Sequence, residues 1–230
     1  MEYTQHEQVA EIRLDDGKVN AMGPAFFDEL NAALDRAERE RPGALVIAGR
    51  EGFFSPGLNI KLLPTLAPDE LTRTLQSFGH TLLRVWAFPL PTVAAITGHA
   101  VAGGLFLALA CDRRVMARGA FRLHANEHAI GLPLPTWAQA ITESVVAGVT
   151  FVEMMLHARP FTPDEALERR FVDEIVDAGM VVARAREVAA PLAALSQPAY
   201  GISKARLRQR GLEWAKPLVS KEMTGFPAPR

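Results

Sequence analysis

Residues 92–112 constrain what this chain can fold into more than any other stretch. A β-branched apolar run gives way to three glycines, Gly98, Gly103 and Gly104, and then to Leu and Ala at helical spacing. That order reads as buried strand, tight turn, helix. Glycine lets backbone approach a ligand closely, and Gly103 and Gly104 open the helix. Their amides fall among its unsatisfied donors, at the positive end of its dipole, which suits an anion or a developing oxyanion. A binding turn is therefore expected; the plainer alternative is that these glycines serve close packing alone.

Three rival readings fail on particular residues. The stretch is apolar enough for a membrane span, but it holds three glycines and His99, follows Pro89 and Pro91, and stands alone. Its glycine spacing suggests a phosphate loop, yet Gly104 and Leu105 stand where that loop needs its Lys and its hydroxyl. It contains no Gly-x-Gly-x-x-Gly, so a dinucleotide fold is not supported either.

With 230 residues, 49% of them hydrophobic, the chain can bury a full core in one domain or in one domain plus an appendage. A formal net charge of -1 gives no basic field for nucleic acid and no polybasic membrane anchor. Small molecules or other subunits are the expected partners. The single cysteine, Cys111, excludes an internal disulfide framework, and the polar first residues do not read as a signal peptide. A cytoplasmic protein is expected.

Along the chain, residues 9–14 alternate and precede the turn at 15–18, which predicts an early hairpin or edge strand. Pro24 starts a helix with Phe27, Leu30, Leu34 and Ala37 on its apolar face, stopped at Pro42 and Gly43. A short buried strand at 44–48 follows, and strand, helix, strand argues for α/β layering. Residues 49–61 form a second turn rich in glycine and proline after an apolar strand. Two such turns matter together, because a reaction that builds negative charge on one oxygen needs two converging backbone donors. A helix is predicted over 68–88, strands over 113–117, 121–123 and 171–176, and short helices over 136–146, 150–157 and from Pro163. Val181, Ala185, Val188, Leu192 and Leu195 mark an amphipathic packing helix. The tail from Gln197 is basic, helical to about Trp214, and ends in Pro-rich residues.

His124, Glu127 and His128 match His-x-x-Glu-His, a zinc-hydrolase signature. That signature needs a helix of several turns, whereas Gly119 lies upstream and Gly131, Pro133 and Pro135 downstream. Both histidines are expected to be partly exposed loop residues, and no metal site is expected. Glu127 has another reading, as a single general base whose burial near an apolar turn raises its proton affinity; the alternative is a solvated loop glutamate. Without a Gly-x-Ser-x-Gly elbow, Ser55 has no claim to be a nucleophile.

At this point a family resemblance is carried by particular residues. Phe54, Ser55, Pro56, Gly57, Leu58, Asn59 and Ile60 resemble the first oxyanion-loop motif of the crotonase (enoyl-CoA hydratase/isomerase) superfamily. Residues 96–104, followed by Cys111 and Asp112, resemble the second. With Val19, Asn20 and Ala21 and a late match at 166–176, the likeness covers about residues 8 to 205. It implies an α/β fold with a repeated ββα spiral core, here about 1–195, and a short helical C-terminal region at 196–230. It implies acyl-CoA thioester substrates, no cofactor beyond the coenzyme A of the substrate itself, and an enolate oxygen held by the amides of Leu58 and Gly103. Ala21, Pro56, Gly57, Asn59, Ile60, Lys61, Gly104, Phe106 and Asn126 would line the substrate, with the phosphates met partly by Lys61 and Lys204. Many hydratases of the family use two glutamates. Here Phe106 stands at the first position and Glu127 at the second, which resembles the Δ3,Δ2-enoyl-CoA isomerase branch; the alternatives are a hydratase or other crotonase-type enzyme using Glu127 alone, and a catalytically idle acyl-CoA-binding protein. A homotrimer or dimer of trimers, with a more open acyl pocket, is the implied assembly.

Overall fold

A computed structural model of the protein describes residues 1–225. The Pro-rich end expected of the tail lies largely outside the described residues. In chain order the strands are β1 (Glu2–His6), β2 (Val9–Arg13), β3 (Ala44–Ala48), β4 (Gly52–Ser55), β5 (Thr92–Ile96), β6 (Gly98–Val101), β7 (Arg113–Ala117), β8 (Leu123–His124) and β9 (Glu174–Val176). The helices are α1 (Pro24–Glu40), α2 (Pro68–Trp86), α3 (Gly103–Ala110), α4 (Thr136–Glu143), α5 (Gly148–Met155), α6 (Pro163–Glu168), α7 (Val181–Ala193), α8 (Gln197–Ala215) and α9 (Val219–Met223).

Two sheets grow in step. The larger runs β1-β2-β3-β5-β7-β9 and the smaller β4-β6-β8. Apart from the antiparallel β1/β2 pair, neighbours in both sheets are parallel. Each turn of the chain thus lays one strand in each sheet, β3 then β4, β5 then β6, β7 then β8, and a helical connection carries it to the next turn. This is the ββα spiral the resemblance implied, with a helical region after it. The corner between the sheets is tight: a Cβ on Gly98 would sit 1.9 Å from the Gly52 carbonyl carbon, so only glycine fits there.

The central strands β3 and β5 of the larger sheet are buried at every position, and apolar at all but Thr92, because both faces are covered. Leu45, Ile47, Ala94 and Ile96 face the main core, whereas Ala44, Val46, Val93 and Ala95 face a second core closed by α7. On α7 the fully buried row is Val181, Ala185, Ala189 and Ala193, while Val188 and Leu192 only flank it and Leu195 is half exposed. Small side chains let this helix lie close to the sheet; a Cβ on Gly43 would sit 2.6 Å from Ala193 Cβ.

Several expectations change. Residues 92–112 contain two strands in different sheets rather than one. The early hairpin precedes residue 9, with β1 at the edge and β2 inside the sheet. The tail helix continues past Trp214 into α9, which packs on α2 while α8 packs on α4. Among the described residues no helix is long and apolar enough to cross a membrane.

Candidate active site

The first glycine turn leaves β4 and is bolted to the loop before α1. Ser55 is fully buried; its hydroxyl donates to Asn20 O (2.7 Å) and accepts from Gly57 N (3.1 Å), so it organises the turn. Asn20 takes a left-handed conformation (φ 61°), and its buried amide donates to Leu14 O (2.9 Å) and Phe54 O (3.1 Å). Met22 and Leu58 then form a parallel bridge, with Met22 N donating to Gly57 O and Asn59 N to Met22 O, each at 2.8 Å. That pattern leaves the Leu58 N–H without a protein acceptor among the described residues.

The second turn ends β6. Ala102, at φ 50° and ψ -125°, offers no side-chain cap, and α3 begins at Gly103. The Gly103 N–H belongs to the first turn of the helix, where no intrahelical acceptor exists, and it too has no protein acceptor among the described residues. The two turns abut. A Cβ on Gly57 (φ 85°) would lie 2.7 Å from Gly103 N, and one on Gly104 only 2.0 Å from Ser55 O. The glycines therefore serve both readings: they allow contact between α3 and β4, and that contact brings two turns with free donors side by side.

Glu127 opens a single 3-10 turn, Glu127–Ile130, closed by Gly131 in the left-handed region (φ 78°). It is buried, with 8% exposure, and its Oε2 has no hydrogen-bond partner; the neighbouring Asn126 Oδ1 is also buried and unpartnered. Burial pushes the Glu127 carboxyl from 4.5 up to about 7, opposed only by a backbone hydrogen bond within its own residue. A carboxylic acid of that kind can give or take a proton near neutrality.

Phe106, one turn into α3, is buried edge-on against Trp137 (centroids 5.7 Å), which in turn meets Phe78 (4.7 Å). The Phe78 ring lies under Gly103, where an added Cβ would approach it to 2.7 Å. Ala21, Pro56 and Asn59 are half-buried, and Ile60 and Lys61 are exposed. A cleft of about 560 Å³ opens beside Ala21 and Asn59, walled by Asp15, Asp16 and Pro24. Leu58, Gly103 and Glu127 are not among its lining residues, so this opening does not itself contain the candidate catalytic groups.

One expected residue lies elsewhere. Lys204 is buried and donates to Asp112 Oδ2 (2.6 Å) and Leu90 O (3.2 Å), so it holds α8 to the sheet and cannot meet a phosphate. The His-x-x-Glu-His motif is not helical: His124 ends β8, and His124 and His128 bond to the carbonyls of Ala158 and Leu156. Among the described residues no cluster of three or more His, Cys, Asp or Glu could hold a metal ion. Sequence reasoning passed over Asn20 and Ser55 as organisers of the first turn. The signal available was an Asn and a Ser-Pro-Gly, both turn formers.

Comparison with known proteins identifies the family. Residues 4–218 match the model of the enoyl-CoA hydratase/isomerase family. Rat mitochondrial enoyl-CoA delta isomerase 1 is 26% identical over 204 residues, 87% of this chain and 71% of that protein. A probable enoyl-CoA hydratase of Bacillus subtilis is 31% identical over 189 residues, 80% of this chain and 72% of that protein. The apo structure of the Mycobacterium tuberculosis enoyl-CoA isomerase superposes with a TM-score of 0.90 at 37% identity, covering 97% of each chain. This chain belongs to the enoyl-CoA hydratase/isomerase family and carries its crotonase fold.

Proposed function

We propose that the protein is a Δ3,Δ2-enoyl-CoA isomerase in which Glu127 is the only proton shuttle. The observation that carries this reading is a buried carboxyl with an unpartnered oxygen, held near neutrality in its proton affinity, in a chain that has Phe106 where many hydratases of the family place a second glutamate. The thioester oxygen binds the amides of Leu58 and Gly103, whose convergence stabilises the enolate. Glu127 takes the proton from C2, negative charge spreads onto the thioester oxygen, and the same carboxyl returns the proton to C4. Hydration also needs a water oriented between two acid-base groups, and the Phe106 ring offers it no hydrogen bond. Lys61, exposed on the first turn, meets a phosphate of coenzyme A. The half-exposed apolar side chains of α8, Ile202 and Trp214, are the basis for proposing a homotrimer or dimer of trimers.

The test sets 3-enoyl-CoA and 2-enoyl-CoA thioesters side by side. The wild type converts the first much faster than it hydrates the second, and Glu127→Gln lowers isomerase turnover by about 10²-fold or more while acyl-CoA binding persists. Efficient hydration of 2-enoyl-CoA by the wild type would falsify the isomerase reading and favour the activity named for the Bacillus subtilis relative.

A further inference from the structure

The two histidines that flank Glu127 have no part in the chemistry above, yet both reach the same neighbouring segment. His124 Nε2 bonds to Ala158 O at 2.7 Å, and His128 Nδ1 to Leu156 O at 3.2 Å. Just before them, Leu123 and Phe161 exchange two backbone hydrogen bonds of 2.9 Å. Residues 123–128 and 156–161 are therefore laced antiparallel at three points, with Glu127 between the second and third. The connector pays for its shape: Ala158 sits at φ 47°, a left-handed conformation costly for a residue with a Cβ. An imidazole nitrogen can bond a carbonyl oxygen only as an N–H donor, so His124 carries a proton on Nε2 and His128 on Nδ1.

The Glu127 carboxyl has no comparable support of its own. Its Oε2 touches no donor, and its turn spans only four residues. Its position must be fixed from outside the side chain. We infer that His124 and His128 are positioning residues, which staple the Glu127 turn to the 156–160 connector and so fix the carboxyl relative to the bound thioester. The inference rests on Glu127 being the proton shuttle. Loss of a staple removes side-chain bonds only: the backbone pairing of β8 with β6, including Ala102 N to His124 O at 2.7 Å, remains, so the carboxyl drifts while the two amide-bearing turns still hold the substrate.

The experiment compares His124→Ala, His124→Gln, His128→Ala and Glu127→Gln in steady-state turnover of a 3-enoyl-CoA, with folding checked by near-UV circular dichroism. A displacement of about 1 Å costs on the order of 10²-fold in such a reaction. His124→Ala should lose kcat on that scale with KM within about twofold, and His128→Ala, with the longer and exposed bond, should lose less. His124→Gln, whose amide can still donate to Ala158 O, should recover most of the loss. A purely structural role would lower the yield of folded protein without this split. Should His124→Ala fail to fold, His128→Ala alone decides: reduced kcat at constant KM supports the staple. Folded histidine variants with wild-type kcat, beside an inactive Glu127→Gln, overturn the staple and leave the base standing. Wild-type turnover by Glu127→Gln removes the base and the staple's role together.

Discussion

Asp112, with 13% of its side chain exposed, and the buried Glu127 are both carboxylates largely withdrawn from water, and they have opposite fates. Asp112 follows α3 and is fully partnered: Oδ2 accepts from Thr92 N (2.9 Å), Thr92 Oγ1 (3.0 Å), Tyr200 OH (3.0 Å) and Lys204 Nζ (2.6 Å), and Oδ1 from Arg208 Nη2 (3.2 Å). Burial disfavours its charge, but the Lys204 ammonium, the Thr92 amide and Arg208 outweigh burial and hold its carboxyl below the usual range. Glu127 has the burial without the partners, and its carboxyl rises to about 7. Burial alone therefore does not decide what a carboxylate does. The number of donors facing it does: a satisfied one is a fixed structural anion, and an unsatisfied one can exchange protons.

Removing a partner from Asp112 is the strongest way to break this contrast. Lys204→Met leaves a buried carboxylate short of its closest cation and should cost about 3 to 5 kcal/mol in urea unfolding at pH 7. Glu127→Gln should do the reverse. A carboxyl whose folded-state value is raised is ionised in the unfolded chain before the folded one, so wild-type stability falls as pH climbs from 4.5 through about 7. Glutamine escapes that penalty. The variant should match the wild type at pH 4 and exceed it by about 3 kcal/mol at pH 8, as paired unfolding curves at the two pH values would record. Equal stability at pH 8 would mean that Glu127 is ionised without penalty. Tyr200→Phe, which removes one donor of the set around Asp112, should cost about 1.5 kcal/mol in the same unfolding measurement.

The sequence carried the helices α1 and α2 and the central strands clearly, because long apolar faces and runs of Val, Ile and Ala register in any reading of periodicity. The division of residues 92–112 between two sheets left no such trace. β5 is buried throughout, and although β6 alternates buried with half-buried positions, its residues Gly98, His99, Ala100 and Val101 carry no apolar-polar alternation, so nothing marks the corner at Gly98. β1 was missed for the opposite reason: its side chains are mostly exposed or half-exposed, so an edge strand of this kind shows no apolar pattern. The two glycine turns were legible as turns, but their contact depends on the spiral bringing residues 57 and 103 together. Glu127 lies among His124, Asn126 and His128; the nearby apolar turn leaves a buried base and a solvated loop glutamate both open, and the resemblance chooses between them. Lys204 misled because a lysine on a basic helix is usually solvated, and only the docking of α8 shows it turned inward.

The Asp112 cluster also bears on how the protein is made. Lys204 is 92 residues further along the chain than the carboxylate it neutralises. At ribosomal speeds of about 5 to 20 residues per second, that gap corresponds to about 5 to 18 seconds of elongation. During that interval β2, β3 and β5 are already available to pair, while the Asp112 carboxylate has the two Thr92 donors but neither Lys204 nor Arg208. The final long helix is thus a late-arriving counterion, and a ribosome stalled before it leaves a nascent chain whose core is assembled around an unneutralised charge.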